Sequence, residues 1–208
     1  MRKRLVRCGL CLGAAVLVLL PAVAHATLVE INAVSVDGGV TGGVPAVYRG
    51  VGLRADASFA ISSVGLYSDI GATSYDVTIY SSTDGNQTTG ILASTSATVG
   101  GAGLQWYDIS IDFAFSAASY YAIGWSTTSG ARIPGGTGDY FHYGWDAHLP
   151  LAAGPATLIN GFGGDTPDFD NFLHPRLRVD TVPEPSTVSL LALGLAGLGL
   201  ALRRRLRG

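Results

Sequence analysis

Residues 75–80, Tyr-Asp-Val-Thr-Ile-Tyr, alternate without a break: Tyr75, Val77 and Ile79 against Asp76, Thr78 and Tyr80. A two-residue period marks a strand with one buried face, because successive side chains point to opposite sides of a sheet. The period returns over residues 106–115, where Tyr107, Ile109, Ile111, Phe113 and Phe115 form the apolar set. Their partners are Trp106, Asp108, Ser110, Asp112 and Ala114, so Trp106 is expected on the polar face, at an edge or in a surface patch.

Weaker runs at 28–36, 47–53, 58–67, 91–99, 117–126 and around Leu177 and Val179 read as further strands. Ser62-Ser63 interrupts the third of these and is read as a bulge or turn. Asp37–Pro45, Asp84-Gly85-Asn86 and Gly100–Gly103 carry turn and loop chemistry. Beyond Ser126 the pattern degrades into a long Gly/Pro/Asp-rich, aromatic stretch to Leu173, and no helix of ordinary length is expected in the body. Many short strands at roughly 8–15-residue spacing define an all-β chain: a single β-sandwich, with a jelly roll as the preferred topology.

The two ends differ sharply from this body. Arg2, Lys3, Arg4 and Arg7 precede an apolar run, Leu10–Leu20, and then Ala24-His25-Ala26. That order is a secretory signal, with Thr27 as the first mature residue. Cys8 and Cys11 have CxxC spacing but lie within the segment to be removed. At the other end Pro183, Glu184 and Pro185 precede an apolar run from about Val188 to Leu202, stopped by Arg203, Arg204, Arg205 and Arg207. Ser186–Leu202 is 17 residues, about 25 Å as a helix against a hydrocarbon core of roughly 30 Å. Such a marginal span crosses with local thinning or with its arginines snorkelling. Basic flanks stay cytoplasmic, so both ends point inward and the body between them lies on the far side of the membrane. The expected division is signal peptide 1–26, β-sandwich 27–181 and sorting segment 182–208.

The order Val182-Pro183-Glu184-Pro185-Ser186, apolar stretch and arginine cluster resembles the PEP-CTERM sorting signal of Gram-negative, often biofilm-forming bacteria. The resemblance implies signal peptidase and a membrane exosortase as processing partners. It also implies a transient inner-membrane intermediate, cleavage near the Pro-Glu-Pro motif, and release to the cell surface or exterior, often in company with exopolysaccharide. Residues 47–126 are similar to β-sandwich modules that often precede such a tail, through Phe59, Ile61, Val64–Tyr67, Tyr75–Tyr80 and Tyr120–Trp125.

Without its ends the body has five arginines against Glu30 and 13 aspartates, a net charge of −9, and no lysine, cysteine or methionine. This excludes a nucleic-acid footprint, disulfide support and thiolate chemistry. No nucleophile elbow, zinc-protease motif or phosphate loop is present. No cofactor is required.

Two stretches carry candidate ligand chemistry. Asp165, Asp168, Asp170 and Asn171 supply oxygens suited to calcium, although not in EF-hand order; a solvated acidic turn has the same composition. Tyr140, His142, Tyr143 and Trp145, with Trp106, are candidate carbohydrate contacts, since aromatic faces stack on sugars; they serve equally to plug one end of a sandwich. His142, His148 and His174 are a weaker metal set. Asp139, Asp146, Asp165 and Asp168 would supply the carboxylate pair of a glycoside hydrolase if two faced each other. The leading functional reading is a non-enzymatic exported surface or matrix protein; the alternatives are a carbohydrate-binding module and, behind it, an extracellular glycoside hydrolase.

Overall fold

The computed structural model describes residues 27–31, 40–42, 46–135, 141–145, 149–164, 173–182 and 194. Within them the strands are β1 (Thr27–Ile31), β2 (Val40–Gly42), β3 (Tyr48–Ala55), β4 (Phe59–Ser68), β5 (Thr73–Ser82), β6 (Thr88–Val99) and β7 (Gln105–Phe115). They continue as β8 (Tyr120–Thr127), β9 (Phe141–Trp145), β10 (Leu151–Ala153), β11 (Ala156–Gly164), β12 (Leu173–Pro175) and β13 (Leu177–Val182). Two sheets pack face to face as a sandwich. One has the order β1-β13-β4-β7, with β9, β12 and the short β2 continuing it beyond the end of β13. The other has the order β10-β11-β3-β8-β5-β6. Every pairing is antiparallel.

The alternating segments supply the core. Tyr75, Val77 and Ile79 of β5 are fully buried, and Tyr107, Ile109, Ile111 and Phe115 of β7 are buried from the opposite sheet. Val64 and Leu66 of β4 and Leu177 and Val179 of β13 join the layer of β7. Val51 and Leu53 of β3, Ile123 and Trp125 of β8 and Leu158 of β11 join that of β5. At one end Phe59, Phe113, Phe115 and Tyr121 form an aromatic cluster: Phe59 stacks on Phe115 at 4.6 Å, and Tyr121 meets Phe115 edge-on at 4.8 Å. Such pairs add stability beyond the area they bury. At the other end Tyr75 donates to the Gly71 carbonyl at 2.6 Å and Tyr107 to that of Gly103 at 2.7 Å, tying two loops to the core.

Several expectations hold in detail. The Ser62-Ser63 interruption is a register shift within a continuous β4, falling between Ile61 and Ser63 against β7. Asp84-Gly85-Asn86 is a turn: the Asn86 N–H donates to Asp84 Oδ1 at 2.8 Å, and Gly85 takes φ +84°. Gly100, Gly101 and Gly103 all have positive φ.

Elsewhere the structure departs from the sequence reading. The stretch after Ser126 holds β9, β10 and β11, and Ala156–Gly164 lies directly beside β3. Its period is muted because Gly161 occupies a buried position where a side chain would have signalled the inward face. The Gly-rich segment 37–45 contains the three-residue β2, paired with β9. Among the described residues no helix is long and apolar enough to cross a membrane; the expected signal peptide and the apolar run, apart from Gly194, lie outside them.

Candidate functional site

The outward face of the β1-β13-β4-β7 sheet is laid out in three cross-strand rows. In the middle row Glu30, Arg178, Gly65 and Asp108 lie opposite one another on successive strands. Gly65 has no side chain, so Arg178 reaches across it: Nε donates to Asp108 Oδ1 at 2.8 Å and Nη2 to Oδ2. A Cβ at position 65 would stand 2.3 Å from Asp108 Oδ1 and 2.8 Å from Arg178 Cγ. The glycine is therefore what permits this bidentate pair. The Asp108 hydrogen bonds raise the affinity of the Arg178 guanidinium for its proton above the ordinary level.

Arg176 opens the next row, at the junction of β12 and β13. Its Nε and Nη2 grip both oxygens of Glu30 at 3.1 and 2.9 Å. Its guanidinium lies 4.8 Å from the Tyr67 ring and 5.2 Å from that of Trp106, while that of Arg178 lies 4.5 Å from Trp106. Tyr67 and Trp106 face each other across β4 and β7 at 5.3 Å. Trp106 is thus half-buried on the polar face, as its parity requires, in a nest of two arginines and a tyrosine. The third row is Leu28, Asp180, Ser63 and Ser110. Together with Ser62, Asp108 and Arg178 it lines an open depression of about 600 Å³. The face offers hydroxyls, ion-paired carboxylates and one aromatic pair, a set suited to hydrogen bonding and stacking.

The other predicted contacts are only partly placed. His142, Tyr143 and Trp145 lie on β9, which meets β4 where Phe141 lies opposite Ser68. Ser68 is also opposite Gln105, the neighbour of Trp106. The backbone therefore brings β9 to the same end of the same sheet as Trp106. His174 lies on β12, opposite Gly144 of β9. Tyr140, Asp139, Asp146 and His148 lie outside the described residues, as do Asp165, Asp168, Asp170 and Asn171. Among the described residues no three His, Cys, Asp or Glu side chains converge as a metal site.

The opposite end of the sheet is where the chain's two outer segments attach. Thr27 lies opposite Thr181, whose Oγ1 donates to the Thr27 carbonyl at 2.8 Å. The turns 56–58, 83–87, 116–119 and 154–155 lie at this same end, as the strand registers require. Among them Asp56 ties the β3–β4 turn to β11. Hydrogen bonds from Thr157 and then Arg54 hold its carboxyl below the usual carboxylate range. The sequence did not single out Arg176, Arg178, Asp108 and Gly65 as a unit. The only available signal was the charged alternation of residues 176 and 178, and their partners lie 70 and 146 residues away.

Residues 181–205 match the PEP-CTERM protein-sorting motif. The chain therefore carries that motif beginning within its last sandwich strand, with Pro183, Glu184, Pro185 and Arg203–Arg205 inside the match. Arg207 follows it, and all of these lie outside the described residues. No curated protein matches the chain.

Proposed function

We propose that this is an exported, non-enzymatic surface or extracellular-matrix protein, delivered by removal of its signal peptide and exosortase processing of its C-terminal segment. The observation that carries the reading is the sorting motif at 181–205, which continues directly from the closing strand of the sandwich. The body is the cargo and the tail its address. We further assign the sandwich to the jelly-roll class. The order β1-β13-β4-β7 opposite β3-β8-β5-β6 supports this, because those eight strands change sheets in the sequence expected of two Greek keys. Deleting residues 183–208 tests the delivery claim. The truncated chain is expected to accumulate in the periplasm and the full chain at the surface or in the medium; equal distribution of the two would contradict it.

A second reading, carbohydrate binding to exopolysaccharide, is favoured by the Tyr67–Trp106 pair beside the serine-lined depression. Affinity electrophoresis in neutral and acidic polysaccharide gels tests it. Retardation that Trp106→Ala or Trp145→Ala abolishes supports this reading, and no retardation in any polymer removes it. The candidate aspartates of the glycoside hydrolase reading lie outside the described residues.

A further inference from the structure

The sorting motif and the sandwich share residues. The match begins at Thr181, and Thr181 and Val182 end β13, opposite Ile61 and Ala60 of β4. β13 is an interior strand, held by β1 on one side and β4 on the other. The next residue, Pro183, has no N–H to give to a ladder. β13 runs to Val182, the residue directly before the Pro-Glu-Pro stub, so the sequence puts no spacer between them. Only Pro183–Thr187 lie between β13 and the apolar run, and five extended residues span at most about 17 Å.

A peptidase holds its substrate extended, with residues on both sides of the scissile bond in its cleft, much as a strand is added to a sheet. For a bond near Pro185, Thr181 and Val182 are among the upstream residues, and these are residues the sandwich already pairs. Two features weaken the hold of the sheet on this end. The ladder to β4 shifts register between Asp180 and Thr181, and Val182 is 42% exposed. Strand termini open locally at far lower cost than the whole domain.

We infer that the end of β13 gates removal of the tail: the sheet and the membrane peptidase compete for Thr181–Val182, and the tail is cut from the frayed end. The inference rests on reading the tail as a peptidase substrate. It makes the rate of tail removal follow the stability of the β1-β13-β4 corner and not that of the whole sandwich.

Pulse–chase of the full chain, in cells that make the sorting peptidase, tests it by timing loss of the tail. One variant carries Gly-Ser-Gly-Ser between Val182 and Pro183. Another is Thr27→Cys/Thr181→Cys. Opposed residues of an antiparallel pair have Cα atoms about 4.5–5.5 Å apart, within disulfide reach, and the body has no other cysteine. The spacer should shorten the half-time at least threefold. The disulfide should lengthen it at least tenfold, with reductant restoring it; if the bridge does not form, the spacer variant decides alone. A prompt cut with the same half-time in wild type and spacer variant overturns the gate and leaves the tail reading intact. A wild-type chain that never loses Arg203–Arg207 overturns both.

Discussion

The Thr181 hydroxyl donates to the Thr27 carbonyl at 2.8 Å, joining the last strand of the sandwich to the first residue of its first strand. One hydrogen bond of this kind contributes only about 1 kcal/mol. Its importance is geometric. The expected signal-peptide junction and the sorting motif leave the domain at paired positions on adjacent strands. Trp106 and β9 lie toward the other end of the same sheet. A body tethered through either segment would hold the tether at one end and keep the end that carries Trp106 and β9 away from it.

Gly65→Ala tests the cross-strand row. The new methyl would displace the Arg178–Asp108 pair, because it would stand within 3 Å of both side chains. The expected loss is about 1–3 kcal/mol, the usual cost of overpacking. Asp108→Asn should cost less than about 1 kcal/mol, since the pair is partly exposed and screened. Urea denaturation of the isolated body compares the two; equal effects would contradict the role given to Gly65.

Trp125 is completely buried against Tyr75 at 6.0 Å. Trp125→Ala should destabilise by about 3–5 kcal/mol. Trp125→Phe should cost much less, because the indole Nε1 has no hydrogen-bond partner among the described residues and phenylalanine buries no such donor. Denaturant midpoints of the two variants check the ranking.

Gly100 and Gly103 share a loop and positive φ, +101° and +81°. A Cβ on Gly100 would meet the Gly71 carbonyl oxygen at 2.4 Å, whereas one on Gly103 would meet nothing within 4 Å. Gly103→Ala should therefore cost about 1–2 kcal/mol of backbone strain, and Gly100→Ala distinctly more. Thermal unfolding midpoints in that order are expected.

Tyr75 gives the fold a sensitivity to alkali. Burial, with a smaller contribution from Tyr107, holds its phenol well above its ordinary value of 10. The unfolded chain releases this proton first. The stabilisation is thus complete below pH 10 and declines as pH rises beyond it. Urea midpoints measured from about pH 8 to 11 should fall more steeply for wild type than for Tyr75→Phe; parallel declines would contradict the assignment.

The acidic segment makes a separate prediction. If Asp165, Asp168, Asp170 and Asn171 hold calcium, the ion binds the folded state and raises its unfolding temperature. Millimolar calcium against chelator should then shift the transition of the wild type and leave that of Asp168→Asn unmoved. No shift in the wild type removes the site.

Legibility in the sequence followed burial contrast. β5 and β7 were readable because each buries one face against the other sheet and leaves polar residues on the other. β6 gave a weaker signal because it lies at a sheet edge and none of its side chains is buried. β11 was missed because glycines at 161, 163 and 164 erase the period that Ala156 and Leu158 begin. Trp106 was assigned to the polar face by parity alone. Its arginine neighbours were not foreseeable, since pairing register between distant strands is set by the whole sheet and not by local pattern.

The central claim is that the tail is an address removed during export. Intact-mass measurement of the protein recovered from the cell surface and medium tests it most directly. The expected species begins at Thr27 and ends near the Pro-Glu-Pro motif, without the apolar run or Arg203–Arg207. An exported species that still carries Arg203–Arg207 would contradict it.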